Sequence, residues 1–293
     1  MALSGAGVYF YASKKTKEFL QENKVAGSLV ESYQEFKDPK AETSEFSFLV
    51  IGDTENKQTN LGPNFKEFTQ LANQSEADFV VHLGDFTNRG TETEFQEMKS
   101  YLGKNLDLPY YMVAGNHDIL TDPSRELYKN HFIKTYYSWD HKNSHFIVLD
   151  NSNSKTGFDQ NQLDFLTEEL QNNTDKDHVF VFIHRPVNMS LAKVLKISDG
   201  IYPEAQESFD EFERILSASE APIAEVFAGH IHTYFNYSLQ NIPVTISGGG
   251  GSKSNLSFWE SAKSFHHYLE IKVKKTSHRR EVQELGENEA NVL

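Results

Sequence analysis

Short apolar runs alternate with amphipathic segments along the chain from Phe46 onward. The apolar runs are rich in β-branched and aromatic residues, which is typical of strands, and most are apolar throughout, as in strands covered on both faces. The predicted strands are Phe46–Ile51, Phe79–Leu83, Tyr110–Ala114, His145–Leu149, Val179–Ile183, Ala224–Ala228, Val244–Ser247 and Tyr268–Val273. The predicted helices, which show apolar positions at helical spacing, are Asn64–Gln74, Glu92–Leu102, Gln160–Gln171 and Ala205–Ser217. This alternation predicts an α/β protein with layered sheets.

The two ends of the chain differ from this core. We expect residues 1–44 to form an N-terminal extension or stalk and residues 276–293 to form a polar tail. Residues 1–12 are apolar or small and precede a lysine-rich stretch, which leaves two interpretations open. They are either a loosely packed terminus or the remnant of a membrane anchor or signal. The second would place the protein in the cell envelope or export it, and the first leaves it cytoplasmic.

Polar residues follow the carboxyl ends of successive predicted strands. Ligands bind outside the carboxyl ends of strands in open α/β sheets, so these residues are expected to meet at one edge of the molecule. The segments are Gly52-Asp53-Thr54-Glu55, Gly84-Asp85, Gly115-Asn116-His117-Asp118, His184-Arg185 and Gly229-His230-Ile231-His232. Any one of them is ordinary turn chemistry, but their joint occurrence predicts a site for Mn, Fe, Zn or a similar divalent ion.

Composition and charge narrow the chemistry further. The chain has 293 residues, no Cys and a formal net charge of −14. The lack of Cys excludes a thiol nucleophile, a disulfide framework and a zinc–thiolate cluster. The acidic balance argues against nucleic acid as a partner, because proteins that bind it need a basic surface. An anionic substrate would therefore need a local source of positive charge, which bound divalent cations provide.

In order, these motifs resemble those of the calcineurin-like metallophosphoesterases, namely Asp-x-His, Gly-Asp-x-x-x-Arg/Asn, Gly-Asn-His-Asp/Glu, a lone His and Gly-His-x-His. The resemblance covers residues 46–273 and implies a four-layer α-β-β-α sandwich with two mixed β-sheets, formed by a metallophosphoesterase domain at residues 45–275. It also implies hydrolysis of a small phosphorylated substrate, either a phosphomonoester or a phosphodiester, by a bridging hydroxide that attacks phosphorus. The implied cofactors are two divalent ions, Mn, Fe or Zn, with Mg also compatible.

The resemblance assigns roles to individual residues. One ion would be held by Asp53, Asp85 and His232, and the other by Asp85, Asn116, His184 and His230, so that Asp85 bridges them. His117 would stabilise the transferring phosphoryl group or protonate the leaving oxygen, and Asp118 would orient its ring. Arg89 would clamp a phosphate oxygen, with a salt bridge to a neighbouring carboxylate as the alternative.

Glu55 departs from the family pattern, because it stands where the family usually has His. As a direct ligand it would add a negative charge to the first metal position and favour Mn or Mg over Zn or Fe. It could instead weaken that position or contact the ion only through water, and these alternatives remain open.

The sequence leaves one rival function, a weakly active or inactive binding or scaffold protein on the same fold. Such proteins have typically lost the position of His117 or several ligands, whereas this chain retains nearly all of them. Substrate choice is expected to depend on two loops without decodable motifs, residues 187–204 and 251–264. No pattern in the sequence indicates the oligomeric state.

Overall fold

The structure is a computed structural model that describes residues 45–56, 61–189, 203–251 and 265–286. The predicted N-terminal extension and most of the two loops expected to choose the substrate lie outside these residues. Among the helices in the described ranges, none combines the length and apolar character needed to cross a membrane.

Two β-sheets and five helices make up the described part of the chain. The helices are α1 (Pro63–Gln74), α2 (Glu92–Asn105), α3 (Glu126–Phe132), α4 (Gln160–Asn172) and α5 (Pro203–Ala218). The strands of the first sheet are β1 (Phe46–Ile51), β2 (Phe79–His82), β3 (Tyr110–Met112), β10 (His267–Lys274) and β11 (Ser277–Glu284). The strands of the second sheet are β4 (Tyr137–His141), β5 (Ser144–Val148), β6 (His178–Phe182), β7 (Ile223–Ala228), β8 (Tyr234–Leu239) and β9 (Ile242–Ser247).

Both sheets contain parallel and antiparallel pairs. The first has the order β11-β10-β1-β2-β3 and the second the order β4-β5-β6-β7-β9-β8. The parallel pairs are β1–β2, β2–β3, β5–β6, β6–β7 and β7–β9. The antiparallel pairs include β4–β5 and β8–β9 at the two edges of the second sheet and β10–β11 at one end of the first. The parallel strands therefore point their carboxyl ends toward one edge, where the polar motifs follow them.

Successive residues of β1 show how the layers form. Side chains alternate between the faces of a strand, so Phe48 and Val50 lie in the core between the two sheets. Leu49 and Ile51 lie on the other face, against the helices of the first sheet. A third apolar cluster joins the second sheet to α4 and α5, with Leu166 as one of its fully buried members. The described residues thus form the four-layer α-β-β-α sandwich with two mixed sheets, and the expected fold class is confirmed.

The predicted strands and helices are all present, with shifts of a few residues at their ends, but four elements have no counterpart in the prediction. Helix α3 has only seven residues and strands β4 and β8 carry mixed polar residues, so their periodic signals are weak. The main correction concerns residues 277–284, which were expected to lie in a polar tail. They form β11, which pairs with β10 from His267–Glu284 to Lys274–Ser277.

A buried carboxylate explains why such a polar strand joins the sandwich. Glu225 on β7 is fully buried in the second sheet. His278 Nε2 of β11 lies 2.8 Å from Glu225 Oε2, and Arg280 Nη1 contacts Glu225 Oε1. Val282 of β11 packs against the core between the sheets. His278 and Arg280 of β11 thus pair with a carboxylate of the opposite sheet, and the sequence of β11 alone does not predict this pairing.

We predict that Phe48→Ala destabilises the protein by about 3–5 kcal/mol, because the buried Phe48 ring packs against aromatic rings of both sheets. Its ring lies 5.2 Å from that of Phe79, 5.5 Å from that of Phe146 and 5.4 Å from that of Phe180. Denaturant unfolding measures the loss, and Phe48→Leu, which retains most of the apolar volume, should cost less. A loss below about 1 kcal/mol for Phe48→Ala would show that the core does not depend on this ring.

Candidate metal centre

The backbone is strained where the candidate ligands lie. Asp53, Asp85 and His230 have φ values of 56°, 54° and 67°, in the left-handed region that residues other than Gly rarely adopt. Such strain clusters at functional sites, where the surrounding structure fixes it. Gly115 allows the close approach of two loops, because a Cβ there would lie 2.2 Å from the backbone N and Oδ1 of Asp85. The chain therefore turns sharply beside the candidate ligands.

Asp53, Glu55 and His232 form the first cluster, with one ligand atom from each within 4.8 Å of the others. His232 Nε2 lies 3.6 Å from Asp53 Oδ1 and 3.6 Å from Glu55 Oε1. Asp53 and Glu55 are buried, whereas the His232 side chain is 27% exposed. The structure therefore brings Glu55 to the position that direct ligation requires, and direct ligation itself stays a prediction.

Asp85, His184 and His230 form the second cluster by the same 4.8 Å criterion. His184 Nδ1 lies 2.8 Å from Leu83 O, which can only accept, so Nδ1 carries the ring proton. His184 Nε2 then faces Asp85 Oδ2 at 3.3 Å and Asn116 Oδ1 at 3.0 Å. Three atoms with lone pairs converge there, which is an arrangement that a cation would stabilise.

The pKa shifts of the buried carboxylates Asp53 and Asp118 also indicate a need for positive charge in the centre. Burial, followed by the charges of Asp85 and Glu55, raises the pKa of Asp53 well above its usual value, although the backbone N–H of His230 opposes the rise. Burial and the charge of Asp85 likewise raise the pKa of Asp118 to about 7. Asp53 and Asp118 are thus short of positive charge, which divalent cations would supply. Asp85 differs, because burial is outweighed there by the charges of His184, His117 and His230 and by a hydrogen bond from His184, which hold its pKa well below its usual value. Carboxylate, amide and imidazole donors without sulfur fit Mn, Fe, Zn or Mg.

Asp118 has a different role from the predicted one. Its carboxylate accepts hydrogen bonds from backbone N–H groups of the two loops that carry the candidate ligands Asp85 and Asn116, and none of these bonds involves the His117 ring. The donors to Oδ2 are the N–H groups of Asp85 and Gly115, and the donors to Oδ1 are the N–H groups of Phe86 and Thr87 and the Thr87 hydroxyl. Asp118 therefore holds the loops after β2 and β3 together, because a carboxylate can accept several donors at once.

His117 is positioned by groups other than Asp118. Its Nδ1 donates to Asn88 O at 2.8 Å, and its backbone N–H donates to Asp85 Oδ1 at 2.7 Å. Glu94 of the α2 capping box accepts from the backbone N–H of Asn88 at 3.2 Å and so fixes the loop that carries this carbonyl. His117 Nε2 is left as the nitrogen that can exchange a proton with a ligand.

Arg89 is exposed on the loop after β2, and within the described ranges its side chain forms no ion pair. The alternative of a salt bridge to a neighbouring carboxylate thus has no support in this part of the chain. A role in clamping phosphate remains a prediction.

Arg185 and Asn151 belong to the centre, although no pattern in the sequence predicts a role for either. Arg185 is 9% exposed, and its Nη1 lies 2.9 Å from His230 Nε2. Asn151 Oδ1 accepts from the backbone N–H of His184 at 3.0 Å and of Arg185 at 2.9 Å. Both residues follow strand ends, as the predicted ligands do, and this position is the signal that could have identified them.

Comparison with known proteins places the chain in a family. Residues 46–234 match the calcineurin-like phosphoesterases, and the chain belongs to this family, as the motifs predicted. A relative named probable glycerophosphodiester phosphodiesterase GpdQ, from Arcobacter nitrofigilis, is 32% identical over 123 residues. The match covers 37% of this chain and only 42% of that relative.

Solved structures share the fold at low identity. Purple acid phosphatase PPD1 from yellow lupin seeds has a TM-score of 0.61 at 15% identity, covering 83% of this chain and 52% of that one. GAP50, described as the anchor in the inner membrane complex of Plasmodium, has a TM-score of 0.62 at 14% identity, covering 82% of this chain and 84% of that one. These likenesses concern the fold alone.

We predict that Asp118→Asn lowers the free energy of unfolding by about 2–3 kcal/mol. The amide nitrogen of Asn is itself a donor, and it would face N–H groups that now donate hydrogen bonds to the carboxylate. Denaturant unfolding measures the change, with the exposed Asp107→Asn as the matched control. Unchanged stability with a slower reaction would instead support the role that the resemblance implied, in which Asp118 orients His117.

Proposed function

We propose that the protein is a phosphoester hydrolase that works with two divalent metal ions at the carboxyl edge of its sheets. The observation that carries this proposal is the pair of carboxylate–histidine clusters at that edge. Their backbones are joined, since Asp53 N donates to Gly84 O at 2.9 Å and Thr54 N donates to Asp85 O at 2.9 Å. One ion would be held by Asp53, Glu55, Asp85 and His232, and the other by Asp85, Asn116, His184 and His230.

The ions would supply a nucleophile at neutral pH and neutralise the charge on the phosphoryl oxygens. The residues of the chain do the positioning. Leu83 O fixes the tautomer of His184, so that Nε2 presents its lone pair to the second cluster. Asn88 O likewise accepts from His117 Nδ1, so Nε2 would protonate the leaving oxygen when the ring carries a proton on both nitrogens. Arg89, on the same loop as Asn88, would contact a phosphate oxygen from the solvent side.

Phosphodiesters are the substrate class that we propose. The relative with 32% identity carries the name of a phosphodiesterase. In addition, Glu55 adds one negative charge where the family has a neutral imidazole, and it is only 4% exposed. A like charge in a buried site penalises a doubly charged monoester more than a singly charged diester.

We predict that His117→Ala slows hydrolysis of bis-p-nitrophenyl phosphate by about 100-fold or more while both ions are retained, because His117 acts on the leaving oxygen and holds no ion. Asn116→Ala and His184→Ala should lose activity together with the second ion. Turnover and elemental analysis of the same preparations measure the two effects. Loss of both ions from the His117 variant would contradict this division of roles.

The same measurements test the proposal as a whole. A wild-type protein that binds no divalent ion and hydrolyses neither p-nitrophenyl phosphate nor the diester would support the rival interpretation, a binding protein on this fold. Wild-type protein loaded in turn with Mn, Fe, Zn and Mg provides the comparison.

We predict that Glu55→His shifts the metal preference from Mn and Mg toward Zn and Fe, because an imidazole replaces a hard anionic oxygen. The ratio of monoester to diester hydrolysis should rise, since one negative charge is removed. Glu55→Ala should weaken one ion and leave the other nearly intact. Calorimetric titration with Mn and Zn, together with both ester assays, measures these changes. Two intact sites with unchanged preference in Glu55→Ala would rule out direct ligation.

A further inference from the structure

Arg185 places a buried cation inside the second cluster. It directly follows the candidate ligand His184 and is 9% exposed. Its Nε donates to Ser152 O at 3.1 Å, and its Nη1 lies 2.9 Å from His230 Nε2. The guanidinium thus connects the loop after β5 with a candidate metal ligand.

The position of Arg185 is fixed by its backbone as well as by its side chain. Asn151, which is fully buried, accepts from the Arg185 N–H at 2.9 Å and donates from Nδ2 to Arg185 O at 2.7 Å. Because Nε is held by Ser152 O, the movement left to the guanidinium is a rotation of its Nη groups at the edge of the sheets. The guanidinium is a built part of the site, and an exposed arginine would not be held in this way.

The contact between Arg185 and His230 is incompatible with metal binding by the same ring. A guanidinium offers only donors, so His230 Nε2 accepts. A neutral imidazole that accepts at Nε2 has its proton on Nδ1 and no lone pair left for an ion. If Nε2 is the ligand atom, Arg185 Nη1 lies where the ion must approach. In both cases the hydrogen bond and the coordination exclude each other.

We infer that Arg185 leaves His230 when the second ion binds and then binds a non-bridging oxygen of the substrate phosphoryl group; this inference rests on the proposed function. A phosphoryl oxygen offers a guanidinium an anionic acceptor with matching geometry. Arg185 is therefore the residue that couples occupancy of the second metal position to anion binding. Without an anion it competes with the ion for His230, and with the ion present it strengthens anion binding. Such coupling is reciprocal.

Arg185→Gln tests the inference through binding, without an activity assay. The metal-free variant should bind its weaker Mn²⁺ ion at least about fivefold more tightly than the wild type, because the competing donor is gone. The Mn²⁺-loaded variant should bind inorganic phosphate about tenfold more weakly. Calorimetry measures both affinities. Arg214→Gln is the matched control, since Arg214 is 65% exposed on α5 and should leave both unchanged.

Arg185→Lys provides a second variant in case Arg185→Gln does not fold. It retains the charge but cannot contact Ser152 O and the anion together, so phosphate affinity should again fall. Unchanged phosphate affinity in the folded variants, or Mn²⁺ binding weaker than that of the wild type, would overturn the inference and leave Arg185 a structural residue. A wild-type protein that binds no Mn²⁺ would contradict the proposed function itself, and that result does not involve the Arg185 variants.

Discussion

Repulsion among buried carboxylates is the interaction on which the centre depends. Asp53, Asp85 and Asp118 are at most 1% exposed and lie at one sheet edge with Glu55. Two like charges at 4 Å cost about 4 kcal/mol at an effective dielectric constant near 20, so each needs a compensating partner. Asp118 finds its partners in backbone N–H groups. Asp53 and Asp85 face imidazoles instead, and a divalent ion would complete their compensation.

The aromatic core holds these charges in place. β1, β2, β6 and β7, which run into ligand-bearing turns, also carry the phenylalanines that meet between the two sheets. Phe48 contacts rings of both sheets, and Phe182 lies 5.4 Å from Phe227 beside it. Since these strands are buried on both faces, their ends have little freedom to move apart. The strained backbone of Asp53, Asp85 and His230 is therefore held by the packing of the strands that precede these residues.

Two charged residues of the centre, Glu55 and Arg185, have charges of opposite sign that cancel. Glu55 adds a carboxylate to the first cluster, and Arg185 adds a guanidinium beside the second. Relative to a neutral residue at both positions, the net charge of the centre is unchanged, but negative charge moves toward one cluster and positive charge toward the other. The two candidate metal positions are thus electrostatically different, although both offer oxygen and imidazole donors.

Among the described residues, the sequence by itself determined eight of the eleven strands, four of the five helices and the edge at which the polar residues meet, because apolar periodicity and strand-end motifs are local properties. It did not reveal β11, whose charges are matched by Glu225 in the opposite sheet. Nor did it reveal the role of Asp118, whose donors lie up to 33 residues away, or the contact of Arg185 with His230, 45 residues away. Only the tertiary structure decided these, because a hydrogen bond between distant loops depends on how the sheets stack, and no local pattern encodes that.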